Sequence, residues 1–415
     1  KPVAINNASP IPVHWRDAVR GGLDRDEQLG IIERVPLNDP VTWNSRMVFT
    51  PKADGSPRRV IDFQTVNDHA PRQTHCSRSP WTIASSLPAN KCKSVLDAWH
   101  GYHSVPLHPE DRHLTTFQTP FGRYRYRTTP QGFLSAGDGH GQRMDIILGD
   151  KFPDSDRCVD DSIIWSNDIS TNFYQVCEYI RHCAAAGCTF NASKFQFAEQ
   201  EVKYLGFLIT DDGVKPTKEF IGNIMSFPTP RSLTDVRSWF GAINQISYAF
   251  ASAPVIQPFR HLLSSKVPFY WYAELDDAFE ESKKEVIRQC EKGVKSFNMK
   301  LPTALSTDWA KIGMGFWLTQ KHCKCDGPIV PGCCATGWQT IFCGSKFNTP
   351  AEANYHPIEG EACAAVNGLE KCKFFILGNP NLILCLDHKP LLATFGTQEI
   401  ASIPNPRLLN FKMKT

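Results

Sequence analysis

Apolar residues recur three and four positions apart along several stretches of the chain, which is the spacing that places them on one face of an α-helix. The first such stretch covers residues 14–35, where apolar residues alternate with charged ones. The same periodicity predicts further helices over 136–148, 171–186, 217–263, 276–292 and 357–376. Pro228 and Pro230 fall inside the longest of these segments and should interrupt it.

Shorter apolar runs bounded by turn-forming residues predict β-strands. Residues 47–63 contain two such runs on either side of Asp54 and Gly55, a pair that favours a hairpin turn. A second strand, turn and strand cover residues 157–165. Further strands are predicted at 94–97, 115–119, 123–128, 204–210, 301–308, 313–319, 338–344 and 382–386. After residue 300 the order is three strands, a helix and a strand, which is typical of a small α/β domain.

Length and composition favour a globular protein of two or three domains. The chain has 415 residues and a mass of 46.6 kDa. Hydrophobic residues make up 41% and charged residues 21%, so the chain can bury cores and is not a disordered polypeptide. No apolar run approaches the roughly 20 residues of a membrane span, so we expect no membrane protein. The first residues include neither an initiator Met nor a signal-peptide core, so we expect a piece cut from a longer polypeptide.

Positive charge is concentrated locally. The net charge is only +3, but residues 51–130 carry eleven Lys or Arg against six Asp or Glu. Within this region, residues 123–127 alternate arginine with tyrosine, a combination that suits contacts with phosphates and bases. The alternation also fits an edge strand with two different faces, and the two interpretations are compatible. We therefore expect a local nucleic-acid footprint.

Fifteen cysteines are distributed along the chain, many of them singly. An odd count in a long chain favours a reducing compartment over a secreted disulfide scaffold. One cluster lies between the strands predicted at 313–319 and 338–344, and its members are His322, Cys323, Cys325, Cys333 and Cys334. These side chains suit tetrahedral Zn²⁺, but the spacing is not that of paired Cys-x-x-Cys knuckles, and free or oxidised thiols are the simpler interpretation.

Asp160 and Asp161 lie at a predicted hairpin tip between two apolar strands. Adjacent like charges repel each other, so the pair is explained if a divalent cation binds there. As an isolated motif, a solvated turn is the simpler interpretation. Asp97 changes the balance because it ends another apolar strand. Three carboxylates at the ends of adjoining strands could hold two Mg²⁺ ions roughly 4 Å apart, an arrangement that supports in-line phosphoryl transfer to a 3′-hydroxyl.

At these residues the chain resembles the reverse transcriptases of gypsy-type LTR retrotransposons. The matching motifs, in order, are Leu96-Asp97-Ala98, Tyr102 with the segment to Phe117, Pro130-Gln131-Gly132-Phe133, Val159-Asp160-Asp161, Gly187 to Lys194, and Tyr204-Leu205-Gly206-Phe207. Six ordered motifs match, and the resemblance extends over nearly the whole chain. It implies a Pol polyprotein region of the α+β class, with the fingers, palm and thumb of a right-handed polymerase.

The resemblance implies catalytic roles for four residues. Asp97, Asp160 and Asp161 would bind two Mg²⁺ ions. Lys194 occupies the position where the family places a basic residue near the departing pyrophosphate, so it is a candidate general acid. A plain surface lysine is the alternative for Lys194. One departure from the family pattern is Cys158, which stands where an aromatic residue is usual and bears on the efficiency and fidelity of synthesis.

Four further residues would bind the incoming nucleotide. Lys52 and Arg58, on the hairpin of residues 47–63, would contact the triphosphate. Tyr102 would be the steric gate that leaves no room for a 2′-hydroxyl, and Gln131 would line the nucleotide pocket. Without the resemblance these residues would be a solvated hairpin tip, a core aromatic and a turn residue.

The last matching motif implies a contact with the primer. Tyr204, Leu205, Gly206 and Phe207 would form the primer grip, a β-hairpin that holds the primer end near the metal ions.

From residue 298 the chain resembles the RNase H fold. Asp308 and Asp387 follow predicted strands, and Glu361 lies near the start of a predicted helix. Glu359 and Glu361 are two positions apart, so only one can face the metal ions, and the family pattern selects Glu361. Asp308, Glu361 and Asp387 would hold two further Mg²⁺ ions for hydrolysis. A complete domain of this fold continues further, so we expect a C-terminally truncated domain that cleaves RNA–DNA hybrids weakly or not at all.

Three domains are therefore predicted: fingers and palm over residues 1–210, thumb and connection over 211–297, and an incomplete RNase H-like α/β domain over 298–415. The predicted function is RNA-directed DNA polymerisation. An RNA template, a DNA or tRNA primer, RNA–DNA hybrids and deoxynucleoside triphosphates would be the partners, and a homodimer or an asymmetric dimer would be the assembly. The expected location is the cytoplasm, within virus-like particles, or the nucleus. Two alternatives stay open: a non-catalytic structural subunit, and a co-opted nucleic-acid-binding remnant of a retroelement.

Overall fold

The computed structural model describes residues 4–5, 7–52, 54–250, 252–263, 268–326 and 329–415. The chain forms two compact units. The first comprises Lys1–Ile83 and Lys91–Leu205, and the second comprises Ala84–Asn90 and Gly206–Thr415. Both units combine helices with β-sheets, as the predicted α+β class requires.

The elements up to Leu205 include the hairpin predicted over residues 47–63 and the strands next to the candidate carboxylates. In chain order they are α1 (Arg16–Gln28), β1 (Ile32–Arg34), β2 (Ser45–Pro51), β3 (Pro57–Ile61), α2 (Gln64–Asn67), α3 (Pro80–Ser86), β4 (Cys92–Asp97), β5 (Phe117–Thr119), β6 (Gly122–Tyr126), α4 (Ala136–Leu148), β7 (Ser155–Cys158), β8 (Asp161–Ser166), α5 (Ile169–Ala185), β9 (Gln196–Glu199) and β10 (Val202–Tyr204). Short 3-10 segments add Val13–Trp15, Gly101–Ser104, Pro109–Thr115 and Ala192–Lys194.

Two sheets form the framework of the first unit. The five-stranded sheet has the order β1-β6-β5-β2-β3, in which β2 and β5 are parallel. The four-stranded sheet has the order β7-β8-β4-β9 and is antiparallel throughout. Helices α4 and α5 pack on this second sheet, where Met144 and Val176 join Leu96 and Ile164 in one buried cluster. This packing gives β4 and β8, and the carboxylates at their ends, a rigid support.

The prediction of a single helix over residues 14–35 is wrong. Helix α1 ends at Gln28, and β1 begins at Ile32 and pairs with β6. Gly30 has a φ of 72°, the left-handed conformation that commonly terminates helices. Ile32 is buried in the structure, and its backbone pairs with β6. Pairing with a strand that is distant in the sequence therefore overrides the helical periodicity.

The elements of the second unit from Phe207 onward begin with short strands and end in a small α/β domain. In chain order they are β11 (Phe207–Ile209), β12 (Gly213–Pro216), α6 (Lys218–Met225), α7 (Leu233–Gln245), α8 (Ser252–Ile256), α9 (Ala273–Lys292), β13 (Val294–Lys295), β14 (Thr303–Trp309), β15 (Gly313–Lys321), β16 (Trp338–Phe347), α10 (Pro350–Ala353), α11 (Pro357–Ile376), β17 (Leu382–Cys385), α12 (Lys389–Phe395) and α13 (Pro406–Lys412). Two 3-10 segments, Gln257–Leu263 and Ile400–Ser402, complete this part.

The helical pattern of residues 217–263 divides into α6, α7, α8 and the 3-10 segment that follows. Pro228 and Pro230 lie between α6 and α7, so the predicted interruption is confirmed. The side chains of Thr217 and Ser232 accept hydrogen bonds from the first turns of α6 and α7 and fix where these helices begin. Trp239 and Phe279, whose ring centroids are 4.9 Å apart, join α7 to α9.

The C-terminal sheet has the order β16-β15-β14-β17, with β14 and β17 parallel and the other neighbours antiparallel. Helix α11 covers one face and spans Pro357–Ile376, so the predicted helix over residues 357–376 is confirmed. The predicted order of three strands, a helix and a strand is confirmed too, with the short α10 before α11 and with α12 and α13 after β17. Among the described residues, no helix has the length and apolar character needed to cross a membrane.

Candidate functional site

Strands β4 and β8 bring two of the predicted carboxylates together. Their antiparallel register pairs Asp97 directly with Asp161, at the point where β4 ends and β8 begins. Four buried residues precede Asp97 in β4, so the strand is fixed in the core up to the position before the carboxylate. Since paired residues on neighbouring strands lie about 5 Å apart, the pairing holds two acidic side chains at one edge of the sheet.

Asp160 lies in the turn between β7 and β8. Cys158 pairs with Asp161, so the turn consists of Val159 and Asp160. Val159 has a φ of 53°, a conformation that costs a β-branched residue on the order of 1–3 kcal/mol and is found mainly at functional sites. The surrounding sheet compensates for this strain, and the result is a sharp turn that aims Asp160 away from the strands.

Gly101 leaves the space that the Asp160 carboxylate occupies. A Cβ atom at position 101 would lie 2.7 Å from Asp160 Oδ1 and 3.0 Å from the ring of His140. This oxygen is buried and lacks a hydrogen-bond partner among the described residues. A buried carboxylate oxygen without a donor is costly, so the site fits a group that is not part of the chain, and a hard cation suits an oxygen ligand.

Burial and neighbouring negative charges raise the pKa values of the Asp160 and Asp161 carboxyls. Burial, then Asp161 and then Asp97 raise the pKa of Asp160 to about 6, while the nearby Lys194 acts in the opposite direction. Burial and Asp97 likewise raise the pKa of Asp161. The Lys194 ammonium lies 2.8 Å from Asp97 Oδ2, and this contact raises the pKa of Lys194. Positive charge at this edge therefore stabilises the ionised site.

The ligand atoms of Asp97, Asp160 and Asp161 do not all converge within 4.8 Å. In the described part of the chain, two other groups reach this convergence, Asp308 with Glu361 and Asp387, and a cluster of cysteines. The contacts of two of the aspartates explain why the three do not converge. One oxygen of Asp160 faces Gly101, and Asp97 is paired with Lys194. The three carboxylates therefore lie at the same end of β4 and β8, but their oxygen atoms do not converge in this structure.

His140 is a site residue that the sequence analysis missed. Its ring is 1% exposed, and Nε2 lies 3.7 Å from Asp160 Oδ1. Burial, together with Arg157 and Arg143, lowers the pKa of His140 to about 4, so the imidazole is neutral and supports the Asp160 side chain without compensating its charge. A signal was present, since His140 lies four residues from both Ala136 and Met144 on the buried face of α4.

Tyr102 lies next to the aspartate pair. Its half-buried ring is 6.0 Å from the His140 ring, centroid to centroid, at an angle of 81°. Burial and the Asp160 charge raise the pKa of the Tyr102 hydroxyl. Gln131 is placed differently, because it lines a separate cavity of about 80 Å³ with residues that include Arg59 and His100.

The two predicted triphosphate contacts lie on the β2–β3 hairpin. Lys52 and Arg58 are exposed, and neither forms an ion pair within the described chain. The adjacent Arg59 differs, since it pairs with Asp26 at 2.8 Å and packs against Gly22. The hairpin therefore presents two uncommitted cations to solvent, while its third cation anchors the hairpin to α1.

The predicted primer grip has a buried and an exposed part. Tyr204 is 2% exposed and its hydroxyl donates to the Asp161 carbonyl at 3.3 Å, while Phe207 is 8% exposed. Leu205 and Gly206, with φ values of 52° and 85°, form the tight turn between them. The side chain of Tyr204 thus supports the aspartate turn, and the backbone of Leu205 and Gly206 is the part open to a ligand.

The C-terminal α/β domain brings the three carboxylates predicted there close together. Ligand atoms of Asp308, Glu361 and Asp387 lie within 4.8 Å of one another, with Glu361 buried and the two aspartates exposed. Burial, then Asp308 and Asp387, raise the pKa of Glu361 to about 7. Glu359 faces elsewhere and accepts hydrogen bonds from Arg407 at 2.6 Å and Asn405 at 3.0 Å, which lower its pKa. The structure thus separates the two glutamates as the helix geometry predicts.

Two segments of the chain match protein families. Residues 51–209 match the family described as reverse transcriptase (RNA-dependent DNA polymerase). Residues 298–414 match the RNase H-like domain found in reverse transcriptase. The two matching families, and their order along the chain, confirm the resemblance drawn from the sequence motifs.

The relatives are transposon polyproteins. The chain is 25% identical to the Pol polyprotein from transposon opus and 27% identical to that from transposon gypsy, both of Drosophila melanogaster, over 98% and 87% of its length. It is 24% identical to the transposon Tf2-3 polyprotein of Schizosaccharomyces pombe over 97% of its length. The chain spans 40%, 35% and 29% of these three proteins, respectively, and thus less than half of each.

Solved structures of a foamy viral protease-reverse transcriptase share the fold. The protein designated dRH, in complex with double-stranded DNA, gives a TM-score of 0.82 at 19% identity. The match covers 98% of this chain and 68% of that chain. The complex with an RNA/DNA hybrid gives 0.78 at 19% identity and covers 99% of this chain and 54% of its own. The predicted fold, a polymerase followed by an RNase H-like domain, is confirmed.

Proposed function

We propose that this chain, a reverse transcriptase domain followed by an RNase H-like domain, is an RNA-directed DNA polymerase of an LTR retrotransposon. The observation that carries the proposal is the placement of Asp97, Asp160 and Asp161 at one edge of a sheet within the segment that matches the reverse transcriptase family. The substrates would be an RNA template, a base-paired DNA or tRNA primer and deoxynucleoside triphosphates.

Mg²⁺ is the cofactor that fits the carboxylates, with two ions per site. Hard divalent cations prefer oxygen ligands, and Asp160 Oδ1 is a buried oxygen that lacks a partner among the described residues. When bound, such ions activate the attacking hydroxyl and neutralise the charge of the phosphates. The cysteines between β15 and β16 offer soft sulfur ligands, which do not suit Mg²⁺.

The side chains around the aspartates would orient the nucleotide. Lys52 and Arg58 are free to contact the triphosphate, and arginine can bind phosphate oxygens in a bidentate manner. Lys194, 2.8 Å from Asp97, would give up this ion pair when a cation binds and could then protonate the departing pyrophosphate. Tyr102 would exclude the 2′-hydroxyl beside Asp160, and Gln131 would border the nucleotide pocket.

The hairpin around Leu205 and Gly206 would hold the primer end. Its backbone turn is the accessible part, whereas Tyr204 supports the Asp160 turn from beneath through the Asp161 carbonyl. A primer contact through backbone groups would not depend on base identity, as copying of arbitrary sequences requires.

The carboxylates of the RNase H-like domain would hold cations for the hydrolysis of RNA in RNA–DNA hybrids. Asp308, Glu361 and Asp387 converge, and burial together with the charges of the two aspartates raises the pKa of Glu361. A cation that binds the ionised carboxylates would remove this repulsion.

Cation stabilisation of this domain should increase with pH. Without a cation, the contribution of Glu361 to stability is present below its ordinary pKa of 4.5 and is lost as the pH rises through about 7, because the folded state resists its ionisation. Bound Mn²⁺ or Mg²⁺ reverses this loss. The gain in Tm on adding the cation, measured by differential scanning calorimetry, should therefore grow between pH about 5 and about 8.

Two glutamine variants provide the test and its matched control. Glu361→Gln should abolish most of the pH-dependent gain. Glu359→Gln should preserve the gain, because Glu359 pairs with Arg407, and its lowered pKa makes its own contribution to stability fall on acidification. An undiminished gain in the Glu361→Gln protein would refute the assignment of Glu361 as a ligand.

We also propose where and in what form the protein acts. All fifteen cysteines are free in the structure, which suits the reducing cytoplasm, where virus-like particles would enclose the enzyme, or the nucleus. A homodimer or an asymmetric dimer would be the working assembly, and the three domains would have the boundaries 1–210, 211–297 and 298–415.

Primer extension by the purified chain tests the proposed function. We expect a DNA primer annealed to a homopolymeric RNA template to be extended with deoxynucleotides. A chain that binds the primer–template tightly but does not extend the primer would instead be a structural subunit or a nucleic-acid-binding remnant of a retroelement. The intact carboxylates Asp97, Asp160 and Asp161 favour the enzyme over both alternatives.

A further inference from the structure

The loop between β15 and β16 is unusually long for a hairpin connection. The last paired residues of the two strands are Lys321 and Trp338, so residues 322–337 form the loop. Hairpin loops usually have two to five residues, and loops longer than about twelve are uncommon unless they are functional. In its described part this loop contains no helix and no strand. Such a segment needs something besides backbone pairing to hold it in one conformation.

Four cysteines of this loop converge. Ligand atoms of Cys323, Cys325, Cys333 and Cys334 lie within 4.8 Å of one another, and the Sγ atoms of Cys323 and Cys333 are 3.4 Å apart. His322 is not a member of the group, although the sequence placed it among the candidate ligands. The structure therefore selects an all-thiol set from the five residues.

Gly337 leaves the space that the thiols occupy. A Cβ atom at this position would lie 2.5 Å from the Sγ atoms of both Cys323 and Cys334, so any other residue would push two of the four thiols apart. The backbone amide of His322 donates to the Gly337 carbonyl at 2.7 Å, which closes the base of the loop beneath the cluster. The position of Gly337 is thus matched to the packing of the sulfur atoms.

We infer that Cys323, Cys325, Cys333 and Cys334 bind one zinc ion that fixes this loop. Sulfur atoms bound to tetrahedral zinc at about 2.3 Å lie a little under 4 Å from one another, so the observed cluster needs only small side-chain adjustments. Soft thiolate ligands select zinc over the hard cations that suit carboxylates. Binding releases the thiol protons to solvent and changes no oxidation state.

Two lysines lie in or beside the loop. The Lys321 ammonium lies 2.9 Å from the Cys325 carbonyl, and Lys324 stands between two of the ligands. A zinc ion with four thiolates would carry two net negative charges, which the Lys321 ammonium next to Cys325 would partly balance. This is a second feature of the loop, independent of the convergence of the thiols, that favours a bound thiolate complex.

The proposed ion is structural and lies far from the carboxylates of the RNase H-like domain. In the register of β14 and β15, Asp308 pairs with Gly315 at one end, and Thr303 pairs with Gln320 next to the loop. Thr303 and Asp308 are five residue steps apart along β14, which is roughly 17 Å at 3.4 Å per residue. The zinc therefore takes no part in the proposed hydrolysis of RNA.

Metal analysis of the intact chain tests the inference. The protein is purified under reducing conditions without chelator, and bound zinc is measured by inductively coupled plasma mass spectrometry. We expect about one zinc per chain and at least a tenfold lower content in Cys323→Ser and Cys334→Ser. His322→Ala and Cys177→Ser, the latter altering a half-buried cysteine in α5, are the matched controls and should keep the wild-type content.

Cobalt substitution of the wild-type protein provides a readout that does not depend on the folding of variants. Co²⁺ bound by four thiolates should give intense visible d–d bands of a tetrahedral site together with thiolate charge-transfer absorption. A reduced wild-type chain that binds neither zinc nor cobalt would overturn the inference. So would a disulfide between Cys323 and Cys333 in protein purified under reducing conditions, zinc retained by the Cys323→Ser/Cys334→Ser double variant, or zinc lost in His322→Ala.

Discussion

Asp160→Asn should reduce deoxynucleotide incorporation by about a thousandfold or more while leaving the affinity for the primer–template nearly unchanged. The carboxylate lies in the sharp turn after Cys158, and its buried oxygen lacks a partner among the described residues. An amide keeps the shape but removes the charge that holds a cation. Because the cations stabilise the transition state more than the bound substrates, the loss should appear in kcat. Single-turnover kinetics and a binding titration measure the two quantities.

Asp154→Asn is the matched control for this variant. It makes the same change in charge close to the start of β7, where Asp154 contacts Gln175 and not the candidate site. We expect near wild-type incorporation from this protein. Wild-type incorporation by the Asp160→Asn protein would remove Asp160 from the catalytic site, and with it the explanation for the strained turn at Val159.

Tyr102→Val should raise the use of ribonucleotides relative to deoxynucleotides on the order of a hundredfold. The Tyr102 ring stands nearly perpendicular to the buried His140 ring and next to Asp160. This packing holds the ring beside the proposed catalytic aspartate. A ring in this position would reject a 2′-hydroxyl by steric clash, and the shorter valine side chain would remove the clash. The measurement is the ratio of kcat/KM for a ribonucleotide to that for the matching deoxynucleotide.

Tyr102→Phe separates the ring from its hydroxyl. The ring remains in this variant, so discrimination against ribonucleotides should remain close to that of the wild type. If Tyr102→Val and Tyr102→Phe discriminate alike and both match the wild type, Tyr102 is a core aromatic and the steric gate lies elsewhere.

The sequence was sufficient to predict features that depend on local spacing. The order of strands and helix after residue 300 followed from periodicity, and the separation of Glu359 from Glu361 followed from helix geometry. The interruption at Pro228 and Pro230 followed from the missing amide of proline. In each case the deciding interaction lies within one element or between neighbours in the sequence.

Features that depend on distant packing were beyond the sequence. The helix over residues 14–35 ends early because Ile32 finds a partner in β6, about ninety residues away. His140 supports Asp160 only because α4 packs against the segment around Gly101. The exclusion of His322 from the thiol cluster likewise depends on how the loop folds back onto Gly337. Spacing alone could name these candidates but could not arrange them.

The cation dependence of single-nucleotide incorporation opposite an RNA template tests the central claim most directly. With purified chain bound to a DNA primer on RNA, rapid-quench measurement over a Mg²⁺ titration should show no incorporation with chelator and a rate that saturates only after two ions have bound. The same titration with Asp97→Asn should show no saturable rate. Incorporation that persists in chelator, or no incorporation at any Mg²⁺ concentration, would contradict a polymerase site built on Asp97, Asp160 and Asp161.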